Sequence, residues 1–326
     1  MKRSIIIILS TLFIFAACDR PDSPLGPNVE EVFGEFEILT PLSSDKETVD
    51  FSNDETVIFN AEWTTLEDWT LTITGKKSGA VKTLRDYSTG IDAENGEWIG
   101  ETTFLPIFRK EICYVELRFD NESPIFYDTI TISEVKVNNG VLITDFENGV
   151  DPLWPHFYQS GVNFFDNKSR PAGQGSTFLD ASGTVPWDFL IGLIEFPALL
   201  TTGDTTFPLT SNSANVFFNV MVFGDINKSN SFFIFRFYED ENGDGEWDPD
   251  TEDMWVTAEQ FTLFTGWKLF SFNYDTDLLV SGKGNGIPES DKILSVEYLL
   301  LSDPDLGETR GDLDYLIFTE NKPLQP

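Results

Sequence analysis

Beyond residue 18 no segment of this chain repeats apolar residues at 3.6-residue spacing over three turns, and that decides its fold class. Short runs rich in Val, Ile, Thr, Phe and Tyr recur instead between clusters of Gly, Asn, Asp and Pro, the pattern of strands punctuated by turns. Trp69-Thr70-Leu71-Thr72-Ile73-Thr74 shows the period most cleanly. Successive side chains of a strand point to opposite faces, so Trp69, Leu71 and Ile73 take the core and the threonines take water. The prediction is an all-β protein.

From Glu35 the runs are Phe36 to Leu39, Thr56 to Trp63, Trp69 to Gly75, Gly79 to Leu84, Gly96 to Phe104, Glu111 to Phe119 and Phe126 to Val135. Seven strands in about a hundred residues predict an N-terminal immunoglobulin-like sandwich over 35–137. The polar turn Val137-Asn138-Asn139-Gly140 interrupts the pattern. It restarts at Val141 and runs through Asn215 to Phe223, Ser231 to Tyr238, Trp267 to Phe272 and Ile293 to Leu301. These runs predict a jelly-roll β-sandwich over 138–326. Trp63, Trp69, Trp98 and Trp267 fall within strand runs and are assigned to cores.

The 326 residues carry 55 Asp plus Glu against 21 Lys plus Arg, a formal charge of −34. Such a surface repels phosphate, so nucleic acid is excluded as a partner. One histidine, His156, and two cysteines, Cys18 and Cys113, cannot build a zinc centre, a disulfide framework or most histidine-dependent active sites. Cys113 lies in the apolar run from Ile112 to Leu117 and reads as a small buried hydrophobe. There is no Gly-x-Ser-x-Gly elbow, no His-Glu-x-x-His and no phosphate-cradling glycine loop.

The first 17 residues have the form of an export signal: Lys2 and Arg3, then an apolar run from Ile5 to Ala17 broken only by Ser10 and Thr11. That run is too short to cross about 30 Å of hydrocarbon. It ends Phe15-Ala16-Ala17-Cys18, which resembles the lipobox of bacterial lipoproteins. The resemblance implies cleavage after residue 17, lipidation of Cys18 and attachment to a membrane through that anchor alone. Residues 18–34 follow as a tether in which Pro21, Pro24, Gly26 and Pro27 suppress helix. The implied location is exported and lipid-anchored at the outer membrane, facing the cell surface.

The sharpest local motif is the acidic loop from Asp240 to Asp253. Calcium takes about six to eight hard oxygens, which alternate side chains on a looping backbone supply. Asp240, Asn242, Asp244 and Asp248 hold the first, third, fifth and ninth places of an EF-hand-type loop, Gly245 the sixth, and Glu246 offers its carbonyl. Thr251 stands at the twelfth place, where that loop type has a bidentate Glu, so Glu252 or Asp253 supplies the closing carboxylate. Calcium is the predicted cofactor, against the alternative of an acidic solvated hairpin between Phe237 and Trp255.

A sugar presents an apolar ring face and a polar rim, so its sites combine aromatic faces with hydrogen-bonding side chains. Two loop-like segments have both: Trp154-Pro155-His156-Phe157-Tyr158-Gln159 and Pro186-Trp187-Asp188-Phe189. Trp154, His156, Tyr158, Trp187 and Asp188 are therefore the candidate ligand residues, with Arg170 as a nearby polar partner.

Asp145-Phe146-Glu147, the Gly173 to Phe178 and Ala181-Ser182-Gly183 runs, Gly266-Trp267-Lys268 and the closing Leu313-Asp314-Tyr315-Leu316 resemble galactose-binding-like jelly rolls. Such domains serve as carbohydrate-binding modules in many exported bacterial proteins. With the lipobox and the preceding sandwich, the layout is similar to surface glycan-binding lipoproteins of Bacteroidota polysaccharide-utilisation systems. That resemblance implies a non-catalytic protein holding a glycan beside a transporter or enzyme at the outer membrane. It also implies a second calcium between Glu147 and Asp314. Two other readings stay open in the residues. One is a structural or adhesive surface protein with a protein partner; the other is a β-sandwich glycoside hydrolase or polysaccharide lyase, whose carboxylate pair the sequence does not nominate.

Overall fold

The computed structural model describes residues 34–228, 231–302 and 308–326. The export signal, Cys18 and the tether to residue 33 lie outside the described residues.

The first core gathers β1 (Ile38–Ser44), β2 (Thr48–Asp50), β3 (Val57–Gly75), β4 (Val81–Ile91), β5 (Glu97–Trp98), β6 (Ile112–Phe119) and β7 (Phe126–Glu134). Where the sequence pattern predicts two strands, β3 is a single one of 19 residues. Between Trp63 and Trp69 stand Thr64-Thr65-Leu66-Glu67-Asp68, without the glycine or proline that ends a strand. The chain bends there through a register shift instead of stopping. The first half of β3 pairs with β1 and β5, the second with β6, and β4 borders both. One strand thus belongs to both layers, and β2 closes the second layer by pairing in parallel with β7. This is an immunoglobulin-like sandwich. The predicted strand from Gly96 to Phe104 shrinks to β5, because Gly100 takes φ +88° and turns the chain.

Trp63 and Trp69 meet edge to face at 6.5 Å in this core. Both indole N–H groups donate to Ser88, one to its carbonyl at 2.9 Å and one to its hydroxyl at 2.8 Å, which removes the cost of burying them. Cys113 is fully buried, and burial pushes its thiol up to about 12.

The second sandwich comprises β8 (Val141–Thr144), β9 (His156–Tyr158), β10 (Asn163–Asn167), β11 (Phe178–Thr184), β12 (Leu190–Pro197), β13 (Val216–Gly224) and β14 (Ser231–Glu239). It continues with β15 (Met254–Thr257), β16 (Gln260–Phe261), β17 (Gly266–Asn273), β18 (Leu278–Val280), β19 (Ile293–Ser302), β20 (Glu308–Arg310) and β21 (Asp312–Glu320). One sheet orders β10-β11-β21-β13-β17, with β20 on β11 and β8 on β21. The other orders β18-β15-β14-β19-β12-β9, with β16 on β14. They face each other as a jelly-roll sandwich around Phe218, whose ring lies 4.8 Å from Phe235, 5.1 Å from Phe237 and 5.4 Å from Phe318.

The two outer faces of this sandwich differ. On the β13 sheet, Met221, Tyr315, Ile317 and Leu324 form an apolar cluster that takes in Leu105 and Ile107 from the first sandwich. The Ile107 N–H donates to the Gly173 carbonyl at 2.9 Å, and the Thr102 N–H to the Pro326 carbonyl at 3.0 Å. The outer face of the β14 sheet stays open, with Phe157, Phe261 and Leu279 exposed along it.

Leu71→Ala, at a fully buried position of β3, should cost about 2–5 kcal/mol in urea unfolding of the first sandwich. Thr72→Ala on the other face of the strand should cost less than about 1 kcal/mol.

Candidate functional site

Register sets the open face residue by residue. In β14, Phe233, Phe235 and Phe237 enter the core, so Phe232, Ile234, Arg236 and Tyr238 point outward and are half-buried. Arg236 lies opposite Val256 on one side and Glu297 on the other, and Glu297 lies opposite Glu195. A charged row therefore crosses the sheet. Arg236 Nη1 is 3.1 Å from Glu297 Oε2, and the Tyr238 hydroxyl donates to that same oxygen at 2.8 Å. Toward one end follow the apolar rows Ile234–Leu299–Leu193–Phe157 and Phe232–Leu301. Toward the other, Trp247 packs on Tyr238 with ring centroids 4.8 Å apart. Burial pushes the Glu195 carboxyl above its ordinary value; the nearby Ser295 hydroxyl opposes this and the charge of Glu297 adds to it. Apolar rows beside a fixed Arg–Glu–Tyr network can accept sugar ring faces and hydroxyl rims together.

Sequence reasoning missed this face. Every residue from Phe232 to Tyr238 except Arg236 is apolar or aromatic, so the run reads as core on both sides. That two-sidedness was the available signal, because a strand with one solvated face alternates.

The residues predicted from the loops divide. Trp154 is 7% exposed, edge-on to Phe196 at 5.0 Å and Phe146 at 6.3 Å, and its ring is no platform: core packing claims both faces. His156 donates from Nδ1 to the Trp154 carbonyl at 2.8 Å. Its ring lies parallel to that of Tyr158, which in turn stacks on Phe164 at 5.7 Å. Trp187 is 60% exposed, and its indole N–H donates to Gln159 Oε1 at 3.2 Å, while Gln159 Nε2 donates to Asp188 at 3.1 Å. This loop leaves the sheet at the Phe232 end, where the Ser302 N–H donates to the Phe189 carbonyl at 2.9 Å. Tyr158, Trp187 and Asp188 therefore share one edge. Arg170 does not join them: it ion-pairs with fully buried Asp312 and lies 3.8 Å from the Phe223 ring and 4.2 Å from the Phe178 ring. Its guanidinium is consumed by structure.

The acidic loop leaves the opposite end of β14. Asp240 and Glu252 are 4% and 1% exposed. Asp240 accepts the N–H groups of Gly243 at 2.7 Å, Asp244 at 3.1 Å and Gly245 at 2.9 Å, and Glu252 those of Asn242 at 3.1 Å and Asp248 at 2.8 Å. Asn242, Asp244 and Asp248 each accept the N–H two residues on, at 2.9 Å, the last two from Glu246 and Asp250. Among the described residues neither Asp240 nor Glu252 has a cationic partner, but their oxygens accept the loop's own N–H groups, and the carboxylates of Asp240, Asp244, Asp248 and Glu252 do not come together as a metal-sized group; calcium at this loop rests on its oxygen-rich spacing alone. Asp253 departs from the predicted set. Its carboxylate accepts from Gly284 at 2.9 Å and Gly286 at 2.6 Å, which leaves Glu252 as the closing residue.

Glu147 and Asp314 grip one turn. Glu147 accepts the N–H groups of Ser176 at 2.6 Å and Thr177 at 2.7 Å, and buried Asp314 accepts that of Gln174 at 2.7 Å. Gln174 Oε1 and Thr177 Oγ1 are buried there without partners. Burial pushes the Asp314 carboxyl well above its ordinary value, and the charges of Glu147 and Asp145 add to that. Two acids and two orphaned oxygens fit a calcium ion.

A cleft of about 1100 Å³ lies in the first sandwich beside the bend of β3, lined by Asn60, Glu62, Arg85, Asp86 and Asn95 among others. It is open and polar and holds none of these residues.

No family model matches the sequence, and no curated protein is similar to it. Among solved structures, carbohydrate-binding modules of the β-sandwich superfamily match with 13% identity over 87% of this chain and 98% of that one, TM-score 0.36. The CBM22-1 xylan-binding domain from Paenibacillus barcinonensis Xyn10C matches with 16% identity over 57% and 98%, TM-score 0.32. The family 11 carbohydrate-binding module from Clostridium thermocellum, in complex with a β-1,3-1,4-mixed-linked tetrasaccharide, matches with 14% identity over 55% and 94%, TM-score 0.36.

Because the Glu195 carboxyl is raised in the folded state, the stability it contributes is complete below the unfolded carboxyl range and is lost as pH climbs through the folded value. Glu195→Gln should melt with the native protein at about pH 4 and above it at about pH 8. A melting difference that stays flat between those values would remove burial as the cause.

Proposed function

We propose that this protein is a non-catalytic, lipid-anchored cell-surface protein that holds a polysaccharide chain across the open face of the β14 sheet. The observation that carries this reading is the fixed Arg236–Glu297–Tyr238 network set among half-buried apolar side chains on an uncovered sheet. A sugar chain offers apolar ring faces and a rim of hydroxyls along its length, and this face offers aromatic and aliphatic surface beside fixed hydrogen-bonding groups. Trp187 at one end and Trp247 at the other extend the apolar surface. Calcium at the 240–252 loop and at the Glu147–Asp314 pole belongs to this reading as a brace for the loops. So do the anchor at Cys18, the first sandwich as a spacer, and a transporter or enzyme partner served by raised local substrate concentration.

Affinity electrophoresis against soluble polysaccharides tests it. Phe232→Ala, Arg236→Ala and Trp187→Ala should each weaken retention about tenfold, about 1.4 kcal/mol, with unchanged circular dichroism. A native protein that no polysaccharide retards, or retention that survives all three substitutions, refutes the reading.

A second reading rests on one further observation. Glu195 and Glu297 are direct cross-strand neighbours, about 5 Å apart at Cβ, one raised by burial and one ion-paired with Arg236. Glycoside hydrolases use a carboxylic acid beside a carboxylate, with the carboxyl groups about 5–5.5 Å apart in retaining enzymes, and a cross-strand pair can bring two glutamates into that range. Reducing-end release by purified protein, abolished in both Glu195→Gln and Glu297→Gln, would establish catalysis. No release from any polysaccharide that the protein binds would leave binding alone.

A further inference from the structure

Where β14 ends and the acidic loop returns, Glu239, Glu241 and Asp253 each bring one carboxylate oxygen to within 4.8 Å of the others. Clustered acids are ordinarily accounted for by water or by cationic side chains. Glu239 is 0% and Asp253 1% exposed, so water does not serve them. Among the described residues no lysine or arginine ion-pairs with any of the three. Lys292, close by, is engaged by Glu289 at 2.9 Å and reaches only the main-chain carbonyl of Glu241, at 3.4 Å.

Neutral donors account for part of the set. Glu239 Oε1 accepts from the Tyr274 hydroxyl at 3.0 Å and the Glu289 N–H at 2.6 Å. Glu241 Oε1 accepts the Asp253 N–H at 2.9 Å, and Asp253 is held by Gly284 and Gly286. Glu239 Oε2 is buried without a partner of good hydrogen-bond geometry, as is the indole N–H of Trp255, the one further donor that acts on this carboxyl, a state that costs free energy unless something else satisfies it. The glycine-rich segment 282–286 closes over the group so tightly that neither Gly282 nor Gly284 has room for a Cβ. The result is an oxygen-lined group buried at Glu239 and Asp253 and partly open at Glu241, with one acceptor left unpaired.

We propose that Glu239, Glu241 and Asp253 bind a divalent cation, calcium by the hardness of an all-oxygen donor set, through residues that belong neither to the ligand set read from the 240–252 loop nor to the Glu147–Asp314 pole. It draws on three segments: the end of β14, the start of β15 and the 282–289 connection. Its cation fixes the end of the strand whose preceding residue, Tyr238, faces outward onto the open sheet. Asp240 stays out of the group, because both of its oxygens accept from its own loop.

Calcium content per chain, measured by mass spectrometry on the full chain after gel filtration in metal-depleted buffer, decides the matter. Glu239→Gln keeps the acceptor for Tyr274 and Glu289, and Asp244→Asn disables the neighbouring loop. Each should lose one ion from the native count, and the double variant should lose two. Glu241→Gln, at a half-buried position, should reproduce the loss seen in Glu239→Gln and carries the test alone if the latter does not fold. A native count retained in folded Glu241→Gln overturns the proposal. So does a double variant that loses only one ion, or a native chain with no bound calcium. The calcium count is taken without polysaccharide, so its outcome does not depend on whether the open face binds one.

Discussion

Folding this chain means burying carboxylates that have too few cations to pair with, since 55 acids face 21 bases. The structure meets that constraint with backbone N–H groups. Glu111, 4% exposed, accepts the N–H groups of Ser78 at 3.0 Å and Arg109 at 3.2 Å and so closes the turn between β3 and β4. Asp312 accepts the Ala181 N–H at 2.8 Å, Glu147 the 176–177 pair, Asp240 the 243–245 run. Hydrogen bonds to a charged acceptor are the strong ones, about 1.5–3 kcal/mol each. Several acids, Glu111, Glu147 and Asp240 among them, are therefore clasps of turns, and the high acid content is part of how two strand-rich modules fix their connections.

An N–H group offers only a partial positive charge, so where several clasps meet the negative charge accumulates. That happens at the poles of the second sandwich: Asp314 beside Glu147 and Asp145, and the strand-end acids Glu239, Glu241 and Asp253. A hard divalent cation is the natural complement of such a place, since it supplies full charge and tolerates irregular oxygen geometry. Strand alternation then links the pole to the open face. Glu239 turns inward and Tyr238 outward along β14, so whatever fixes the first also fixes the second.

What the sequence made legible was whatever depends on neighbours along the chain. The alternation of Trp69, Leu71 and Ile73 is local, and all three are buried as the period requires. The acidic loop is legible for the same reason, because its oxygens lie within one short span. Trp154 and Trp187 look alike in sequence, each beside a proline in a loop, and their fates separate only through distant residues. Trp154 meets Phe196, while Trp187 is caught by Gln159. Arg170 found Asp312 at a separation of 142 residues, and Asp253 left its loop for two glycines of the 282–286 segment. Non-local partners also hid the open face: nothing along β14 itself says which of its two apolar sides another element covers.

That choice of side follows from how the two sandwiches join. The first sandwich lays Leu105 and Ile107 on the outer face of the β13 sheet and secures them with main-chain hydrogen bonds. A sandwich has two outer faces, and once one is spent on the joint only the other can meet a ligand. The apolar residues of β14 that face outward are thus not surplus core; they occupy the one broad surface of the second module that its neighbour leaves uncovered. That surface lies on the side of the second module away from the joint.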